Sequence, residues 1–395
     1  MSKIQKALLA LSVFVLLASG TLLLIPHTPV IAFYNTPEAI RQAVTSLAEN
    51  PDFAGKTIFK FQKLDDTLPL SAQTKKLSKI DLLFTMDGRN ASEIAESTMP
   101  PSEQVRNLMP SAMRKAGQNE TRGYGLPLLL DHFEVAYNLK TLDQNGIAEP
   151  KTLSDLLSAA KKMKKTSFYP IVCAGGQDTD ILFLSGALLE ARFGLEGWQN
   201  VVHSLKNDSS FKTVLADKNF RAVLDELVRW RTDGLIHPEW FRMSAADVNS
   251  FMENDYTGIV FMSLSAHRTI SQRTIEKFSS SFFPPSLSGS PRALTAPTLL
   301  GIRPFKKNPD KKAEAFLYRL ARDDGQKKIG SITGLAPVNS TAETKDKQAT
   351  DVRLWIASTG QPLPDLGSAG FSDAGTRAEF ARLLRDYIQT GGVGY

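Results

Sequence analysis

Apolar runs of strand length alternate with amphipathic helical stretches from residue 30 onward. Residues 30–33, 57–61 and 80–84 are the first three runs, and each is short enough for a strand. The stretch between the first two has an apolar helical face formed by Ala39, Ile40, Ala43 and Leu47. The order strand, helix, strand predicts a mostly parallel α/β sheet.

The same alternation continues through the rest of the chain. Apolar runs at residues 126–130, 135–138 and 258–264 predict three more strands. Thr152 and Asp155 have the spacing of a capping box, which predicts the start of a helix there. Further helices are predicted over residues 187–234, 311–322 and 375–389. Residues 279–297 are rich in Ser, Pro and Gly, which predicts a loop or a crossover.

The N-terminus has the pattern of a targeting segment. Lys3 and Lys6 precede an apolar stretch over residues 7–25, which approaches the length that spans a bilayer. Small residues at 18–20 would suit signal peptidase, but cleavage there would expose the apolar residues 22–25. We therefore favour an uncleaved anchor over a cleaved signal. No cysteine follows the apolar run, so a lipoprotein anchor is excluded.

Composition limits the class of protein. The 395 residues are 42% hydrophobic and 22% charged, which is typical of a soluble globular protein with room for two lobes. The net charge is +6, but the densest basic run, residues 161–165, ends a predicted helix, so we expect no nucleic-acid partner. Cys173 is the only cysteine and lies in an apolar run, where burial is expected. We expect neither a metal nor a cofactor.

The motifs of common enzymes are missing from the chain. There is no G-x-S-x-G elbow, no H-E-x-x-H pair and no Walker loop. The five histidines are far apart in the sequence and have no metal-ligand spacing. We therefore expect a protein that binds rather than one that catalyses.

Five segments, in order, resemble the extracellular solute-binding proteins of ABC importers, in the branch that includes the maltose- and oligosaccharide-binding proteins. The resemblance covers nearly the whole chain after residue 28. It includes a "YN" signature at Tyr137 and Asn138, a "G..P" turn at Gly334 to Pro337, and a "knp" run at Lys307 to Pro309. The five segments are residues 125–138, 146–156, 251–262, 307–317 and 334–338.

The resemblance implies an α/β, two-lobed periplasmic-binding-protein-like fold with a hinge and an interlobe cleft. One lobe would comprise residues 28–130 plus 284–335, and the other 131–283 plus 336–395. Residues 1–27 would precede them as a signal peptide or membrane anchor. Such a monomer would sit on the periplasmic or extracytoplasmic face of the cell membrane and hand a small solute, with sugar favoured, to the membrane subunits of an ABC importer. Hinge closure on the ligand would be the signal that the importer reads.

Ligand contacts are expected beyond the carboxyl ends of the strands. In the first lobe these positions hold Tyr34 and Asn35 after the first strand, and Asp87 and Arg89 after the third. The resemblance implies that Asp87 accepts sugar hydroxyls, because a carboxylate forms strong charge-assisted hydrogen bonds. An ordinary turn at Asp87 is the alternative.

The hinge and the second lobe supply the other candidates. Asp131 matches an acidic hinge position of the family, and His132 follows it; an interlobe salt bridge is the alternative role for Asp131. The second lobe contributes Asp178 in a glycine-containing loop, Ser265 and His267 after a strand, and Phe371 in a late loop. For each of these an ordinary surface loop is the alternative.

The chain departs from the sugar binders at two positions. They usually place a tryptophan after the strand at 258–264, and an aromatic residue where this chain has Gln177 and Asp178. Trp240 and Trp355 could substitute for these aromatics or could pack in the core. The ligand could therefore be a smaller polar solute. A membrane-anchored interaction or sensor protein that reuses the fold without transport also stays open.

Overall fold

Two separate β-sheets organise the chain into two α/β lobes. The computed structural model describes residues 27–287, 292–339, 342 and 346–395. The larger sheet runs in the order β12 (Ala336–Pro337), β5 (Leu126–Leu130), β11 (Thr298–Pro304), β3 (Leu82–Met86), β1 (Val30–Tyr34) and β2 (Lys60–Lys63), with β4 (Thr98–Met99) paired to β11. The smaller sheet runs β7 (Tyr169–Cys173), β8 (Thr257–Ser263), β6 (Phe133–Asn138) and β9 (Phe278–Phe282).

Helices cover both sheets. Those of the first lobe, which is built on the larger sheet, are α1 (Glu38–Glu49), α2 (Pro51–Ala54), α3 (Thr74–Leu77), α4 (Arg89–Glu93), α5 (Glu103–Arg106), α14 (Lys311–Ala321), α15 (Asp323–Thr333) and α16 (Lys347–Thr359). Those of the smaller-sheet lobe are α6 (Leu139–Gln144), α7 (Leu153–Met163), α8 (Asp178–Asn207), α9 (Phe211–Leu215), α10 (Lys218–Thr232), α11 (Ala245–Glu253), α12 (Leu264–His267), α13 (Gln272–Ile275), α17 (Leu366–Gly370) and α18 (Ala374–Thr390). Short 3₁₀ turns lie at Leu70–Gln73, Ala95–Ser97, Met113–Lys115 and Trp240–Arg242.

The larger sheet is mixed: the predicted parallel pairing is confirmed for its first three strands and is wrong for β11 and β12. β1 pairs in parallel with β2 and β3, but β11 runs antiparallel to β3 and to β5. The reason is that the chain leaves this sheet after β5, builds the smaller one, and returns as β11 in the opposite direction. β9, which pairs with β6, also lies inside the stretch predicted as loop.

Each lobe has its own apolar core. Ile31, Phe84 and Leu128 belong to the core around the larger sheet, and Val135 and Phe261 to the core around the smaller one. Burial of such side chains is the main favourable contribution to folding, at about 25 cal/mol per Å² of apolar surface removed from water. Two cores of this kind are what the two-lobed prediction requires.

The last part of the chain divides differently from the prediction that residues 336–395 join the second lobe. β12 pairs with β5 in the larger sheet, and Val352 and Ile356 of α16 pack in the first lobe's core. The chain reaches the second lobe only near Leu363, which packs in that lobe's core. The return occurs at a two-stranded ribbon of β10 (Leu294–Thr295) and β13 (Pro362–Leu363).

Several local predictions are confirmed. Thr152 caps α7 and forms the reciprocal capping box with Asp155. Cys173 is buried, with 1% of its surface exposed. Trp240 is fully buried in the second lobe's core, and Trp355 packs against the first.

The predicted apolar N-terminal segment lies outside the described residues. Within the part of the chain that the structure describes, no helix combines the length and the apolar character needed to cross a membrane.

Candidate functional site between the lobes

A cavity of about 510 Å³ lies between the two lobes. This volume is within the range of roughly 300–1,000 Å³ that is usual for small-molecule sites. The first lobe lines it with Asp87, Gly88, Arg89, Ser92, Lys115, Gln118, Asn119, Glu120, Thr121 and Tyr124. The second lobe and the ribbon add Trp198, Val202, Lys206, Gln361, Pro362, Leu363, Pro364 and Ala369. Both lobes must therefore be in place to form it.

A buried carboxylate organises the first-lobe wall. Asp87 follows β3, and its Oδ1 accepts hydrogen bonds from the Tyr124 hydroxyl at 2.8 Å and from the Gly88 amide at 2.9 Å. Its Oδ2 accepts from the Gly117 amide at 3.4 Å. Burial raises the pKa of Asp87, although these three donors act in the opposite direction. The carboxylate therefore holds the wall together and fixes the Tyr124 ring beside the cavity.

The lobes touch where α4 meets α17. Arg89 donates from Nη1 to the carbonyl oxygen of Gly370 at 2.9 Å, and Asn90 donates from Nδ2 to that of Ser372 at 3.0 Å. Gly88 has a φ of +147° and lies so close to α17 that a Cβ atom there would come 2.8 Å from the carbonyl carbon of Ser368. A glycine at this position thus allows the backbones of the two lobes to meet.

One helix face supplies part of the second-lobe wall. Gly194 has a φ of +70° and interrupts α8. Beyond this kink, Trp198, Val202 and Lys206 are spaced four residues apart, so they fall on one face and line the cavity together. The Trp198 ring is 6% exposed, and its Nε1 donor has no hydrogen-bond partner among the described residues.

Two predicted first-lobe contacts lie away from the cavity. The Tyr34 hydroxyl donates to the carbonyl oxygen of Leu68 at 2.9 Å, and burial raises the pKa of Tyr34. The Asn35 amide donates to Oδ1 of Asp66 at 2.7 Å, with Asn35 at a φ of +47°. Of the ten predicted contacts, only Asp87 and Arg89 line the cavity.

Asp131 lies where the chain first crosses from one lobe to the other, between β5 and β6, and it binds Ser265 of the second lobe. Ser265 donates its amide to Oδ1 of Asp131 at 2.8 Å and its hydroxyl to Oδ2 at 2.7 Å. Burial raises the pKa of Asp131 to about 6, and the Ser265 bonds lower it. The interlobe partner of Asp131 is thus a serine, where the sequence had left a salt bridge open.

The two predicted histidines are buried near this crossing. The His132 ring packs 5.5 Å from that of Trp355, its Nδ1 has no partner among the described residues, and burial lowers its pKa to about 3. His267 Nδ1 lies 2.5 Å from Oε1 of Glu134, whose other oxygen accepts a hydrogen bond from Gln348 of α16. His132 therefore packs against α16, and His267 connects α12 to β6. Neither histidine lines the cavity.

The remaining predicted contacts have partners within the second lobe. Asp178 accepts a hydrogen bond from Nη2 of Arg385 at 2.8 Å. Phe371 is 4% exposed and packs 5.1 Å from the ring of Phe380 in the lobe's core. Because its ring packs in that core, Phe371 does not line the cavity.

Sequence reasoning missed most of the residues that line the cavity. Trp198 and Val202 have the spacing of an ordinary core helix, and nothing in the sequence distinguishes a helix face at the edge of the core from one inside it. Lys115 and Gln118 lie between predicted elements. Among the described residues, no group of three or more His, Cys, Asp or Glu side chains is placed to hold a metal ion.

Comparisons with known proteins agree with this architecture. A family model described as bacterial extracellular solute-binding protein matches residues 31–354. No curated protein sequence gives a significant match.

Solved structures share the fold at low sequence identity. The bacterial solute receptor AcbH superposes with a TM-score of 0.76 at 15% identity, covering 92% of this chain and 93% of its own. The binding protein MsmE from Bacillus subtilis, in an open conformation, gives 0.70 at 16% identity, with 93% and 97% covered. A family 1 extracellular solute-binding protein from Bifidobacterium longum subsp. infantis gives 0.67 at 16%, with 93% and 96% covered. Since the family model spans most of the sequence, the chain belongs to the bacterial extracellular solute-binding proteins.

Proposed function

We propose that this protein captures a small polar solute, a carbohydrate, in the cavity between its lobes and delivers it to an ABC-type importer. The observation that carries the proposal is the cavity itself. Polar side chains from both lobes meet there beside two aromatic residues, Tyr124 and Trp198. Hydroxyl-rich solutes need such donors and acceptors, and aromatic side chains offer a flat apolar surface.

The names of similar structures support a carbohydrate. AcbH is described as having an exclusive preference for β-D-galactopyranose, another similar structure is a chitin oligosaccharide binding protein, and GacH is described in complex with acarbose. Each shares the two-lobed fold with this chain. The carbohydrate assignment is therefore the first to test.

Closure of the lobes would couple binding to delivery. A solute in the cavity contacts both lobes only when they meet, so it favours the closed arrangement by its differential affinity for that state. Arg89 and Asn90 already join the lobes at the rim through single hydrogen bonds. Each such bond contributes only about 1 kcal/mol, so the lobes can still separate to admit a solute.

The proposed location in the cell rests on the family and on the N-terminal sequence pattern. We propose that the protein works as a monomer on the extracytoplasmic face of the cell membrane. Residues 7–25 would anchor it there or direct its export. The family consists of binding proteins, and we assign no catalytic step to this chain.

A thermal stability screen tests the proposal. The purified protein is heated with sugars, oligosaccharides, polyols and amino acids, one at a time. A ligand at about 100 times its Kd stabilises the folded state by roughly 2.7 kcal/mol, which is a readable rise in Tm. Trp198→Phe shrinks the aromatic surface of the second-lobe wall but keeps an aromatic ring in the core, and we expect it to weaken the response. Phe168→Ala, at a side chain that is 76% exposed and outside the cavity, is the control.

The outcomes separate the candidate functions. A saturable response to one saccharide class that Trp198→Phe weakens and Phe168→Ala leaves intact supports the proposal. A response that both variants leave intact places the solute elsewhere. No response across the panel would favour the anchored interaction or sensor protein instead.

A further inference from the structure

Two lysines of the cavity wall form no ion pair with any acidic residue that the structure describes. Lys115 comes from the first lobe and Lys206 from the second, and both line the cavity. Among the described residues, neither ammonium group forms a hydrogen bond or an ion pair. Both ammonium groups are therefore free to pair with a negative charge that enters the cleft.

The other charges at the cavity are largely engaged or exposed. Arg89 forms an ion pair with Glu93 at 2.7 Å and also binds the carbonyl oxygen of Gly370. Asp87 is buried and already accepts three hydrogen bonds. Glu120, the remaining acidic residue of the wall, is exposed, as are Lys115 and Lys206. The charges free to meet a solute at the cavity are therefore two ammonium groups and one carboxylate, which leaves a net positive charge.

The electrostatic surroundings of Lys206 also favour an added negative charge. Burial lowers the pKa of Lys206, and the neighbouring Arg89 lowers it further. Glu93 and Asp87 raise it, but they do not outweigh the first two effects. The ammonium group is thus less well stabilised than in water, and an added negative charge would restore what it has lost.

We propose, resting on the function proposed above, that the solute is an anionic saccharide whose acidic group is bound by Lys206 and Lys115 as the lobes close. A neutral sugar would leave both ammonium groups partly desolvated and unpaired, which costs free energy. An acidic sugar pairs with them across the two lobes, so its charge stabilises the closed state in particular.

Matched pairs of solutes test the proposal by calorimetric titration of the purified full chain. The pairs are D-galacturonate with D-galactose and D-glucuronate with D-glucose, and glucose 6-phosphate tells whether a phosphate serves as well as a carboxylate. We expect an acidic sugar to bind about tenfold or more tightly than its neutral counterpart, because hydrogen bonds to charged groups are the stronger kind. The advantage should shrink as salt concentration rises.

Variants that each remove one positive charge test whether Lys206 and Lys115 bind the acidic group of the solute. Lys206→Gln and Lys115→Gln should each reduce the affinity for the acidic sugar by several-fold to tenfold and leave that for the neutral sugar nearly unchanged. Lys212→Gln in the second lobe and Lys56→Gln in the first remove the same charge at exposed positions outside the cavity, and should change neither affinity.

Two results would overturn the inference in different ways. If neutral saccharides bind in a manner that depends on Trp198 and acidic ones bind no better, the proposed function stands and the anionic preference is wrong. If acidic sugars bind more tightly but Lys206→Gln and Lys115→Gln keep the full preference, the assignment of these lysines is wrong. If no saccharide of either kind binds, the proposed function fails and the inference fails with it.

Discussion

Asp131 and Ser265 join the two lobes through a pair of hydrogen bonds at the first crossing of the chain. The Ser265 amide lies 2.8 Å from Oδ1 of Asp131 and its hydroxyl 2.7 Å from Oδ2. Both residues are sequence-predicted ligand contacts, and here each satisfies the other. The pair fixes the end of β5 against α12, close to the hinge about which the lobes would move.

The protonation of Asp131 should make folding stability depend on pH. An aspartate carboxyl in water has an ordinary pKa of 3.8, and burial raises the pKa of Asp131 to about 6, so the folded protein binds this proton more tightly than the unfolded chain. The resulting stabilisation is complete below pH 3.8 and is lost as the pH rises from about 4 to 6. Each pKa unit corresponds to about 1.4 kcal/mol, and solvent reaches the half-buried side chain, so we expect a change on the order of 2 kcal/mol.

Urea unfolding of the wild type and of Asp131→Asn at pH 4 and pH 7 measures this effect. The free energy of unfolding of the wild type should fall relative to that of the variant as the pH rises. Asp143→Asn, at an exposed aspartate of the second lobe, should track the wild type at both pH values. Parallel pH profiles for the wild type and Asp131→Asn would show that this carboxyl has no special role.

A side chain at Gly88 should hold the lobes apart. Gly88→Ala places a Cβ atom against the carbonyl group of Ser368 in α17, and backbone cannot move aside as easily as a flexible side chain. We expect a larger radius of gyration in small-angle X-ray scattering and about tenfold or more weaker solute binding. Gly55→Ala introduces a comparable positive-φ strain, at φ +66°, with no atom within 4 Å, and should change neither property. Equal effects of both variants would attribute the result to backbone strain alone.

Removing the guanidinium of Arg89 should also loosen the contact between lobes, but more mildly. Arg89→Gln loses the bond to the Gly370 carbonyl oxygen, which is worth about 1 kcal/mol or a factor of about five in the closing equilibrium. Scattering in the presence of saturating solute should show a more open average. Arg382→Gln breaks exposed ion pairs within α18 and serves as the control. Identical scattering for Arg89→Gln and the wild type would mean that the bond does not affect closure.

A buried ion pair lies just before β10, where the chain returns from the smaller sheet to the larger one. Arg292 contacts Glu190 of α8 and the carbonyl oxygen of Phe283, and both charged side chains are almost fully buried. Because the loss of one partner leaves the other as a buried unpaired charge, Glu190→Gln should destabilise the fold by about 3–5 kcal/mol. Chemical denaturation measures this, with Arg382→Gln, at an exposed arginine, expected to cost under about 1 kcal/mol. A cost for Glu190→Gln as small as that of the control would show that the pair is dispensable.

Local elements could be predicted well because their signals are local. The apolar run at residues 30–33 becomes β1, the Thr152 capping box begins α7, and the last helix spans Ala374–Thr390 against a predicted 375–389. Each of these rests on neighbours within one or two turns. The two-lobed architecture followed from the resemblance to the family, and the family match supports it.

The site could be predicted only in part because its geometry depends on distant segments. Asp87 and Arg89 directly follow a strand, so their place at the cavity was readable. Trp198 and Lys206 line the cavity because they follow the kink at Gly194. Phe371 does not line it, because its ring packs against Phe380 in the second lobe's core. Long-range packing of this kind has no counterpart in the spacing of residues along the chain.

A crystal structure of the protein, grown with the solute that gives the largest rise in Tm, would show where that solute binds. We predict that the solute occupies the cavity between the lobes, with contacts to Trp198 from one side and to Tyr124 or Gln118 from the other. Solute bound to the outer surface of one lobe, with the cavity empty, would contradict the account.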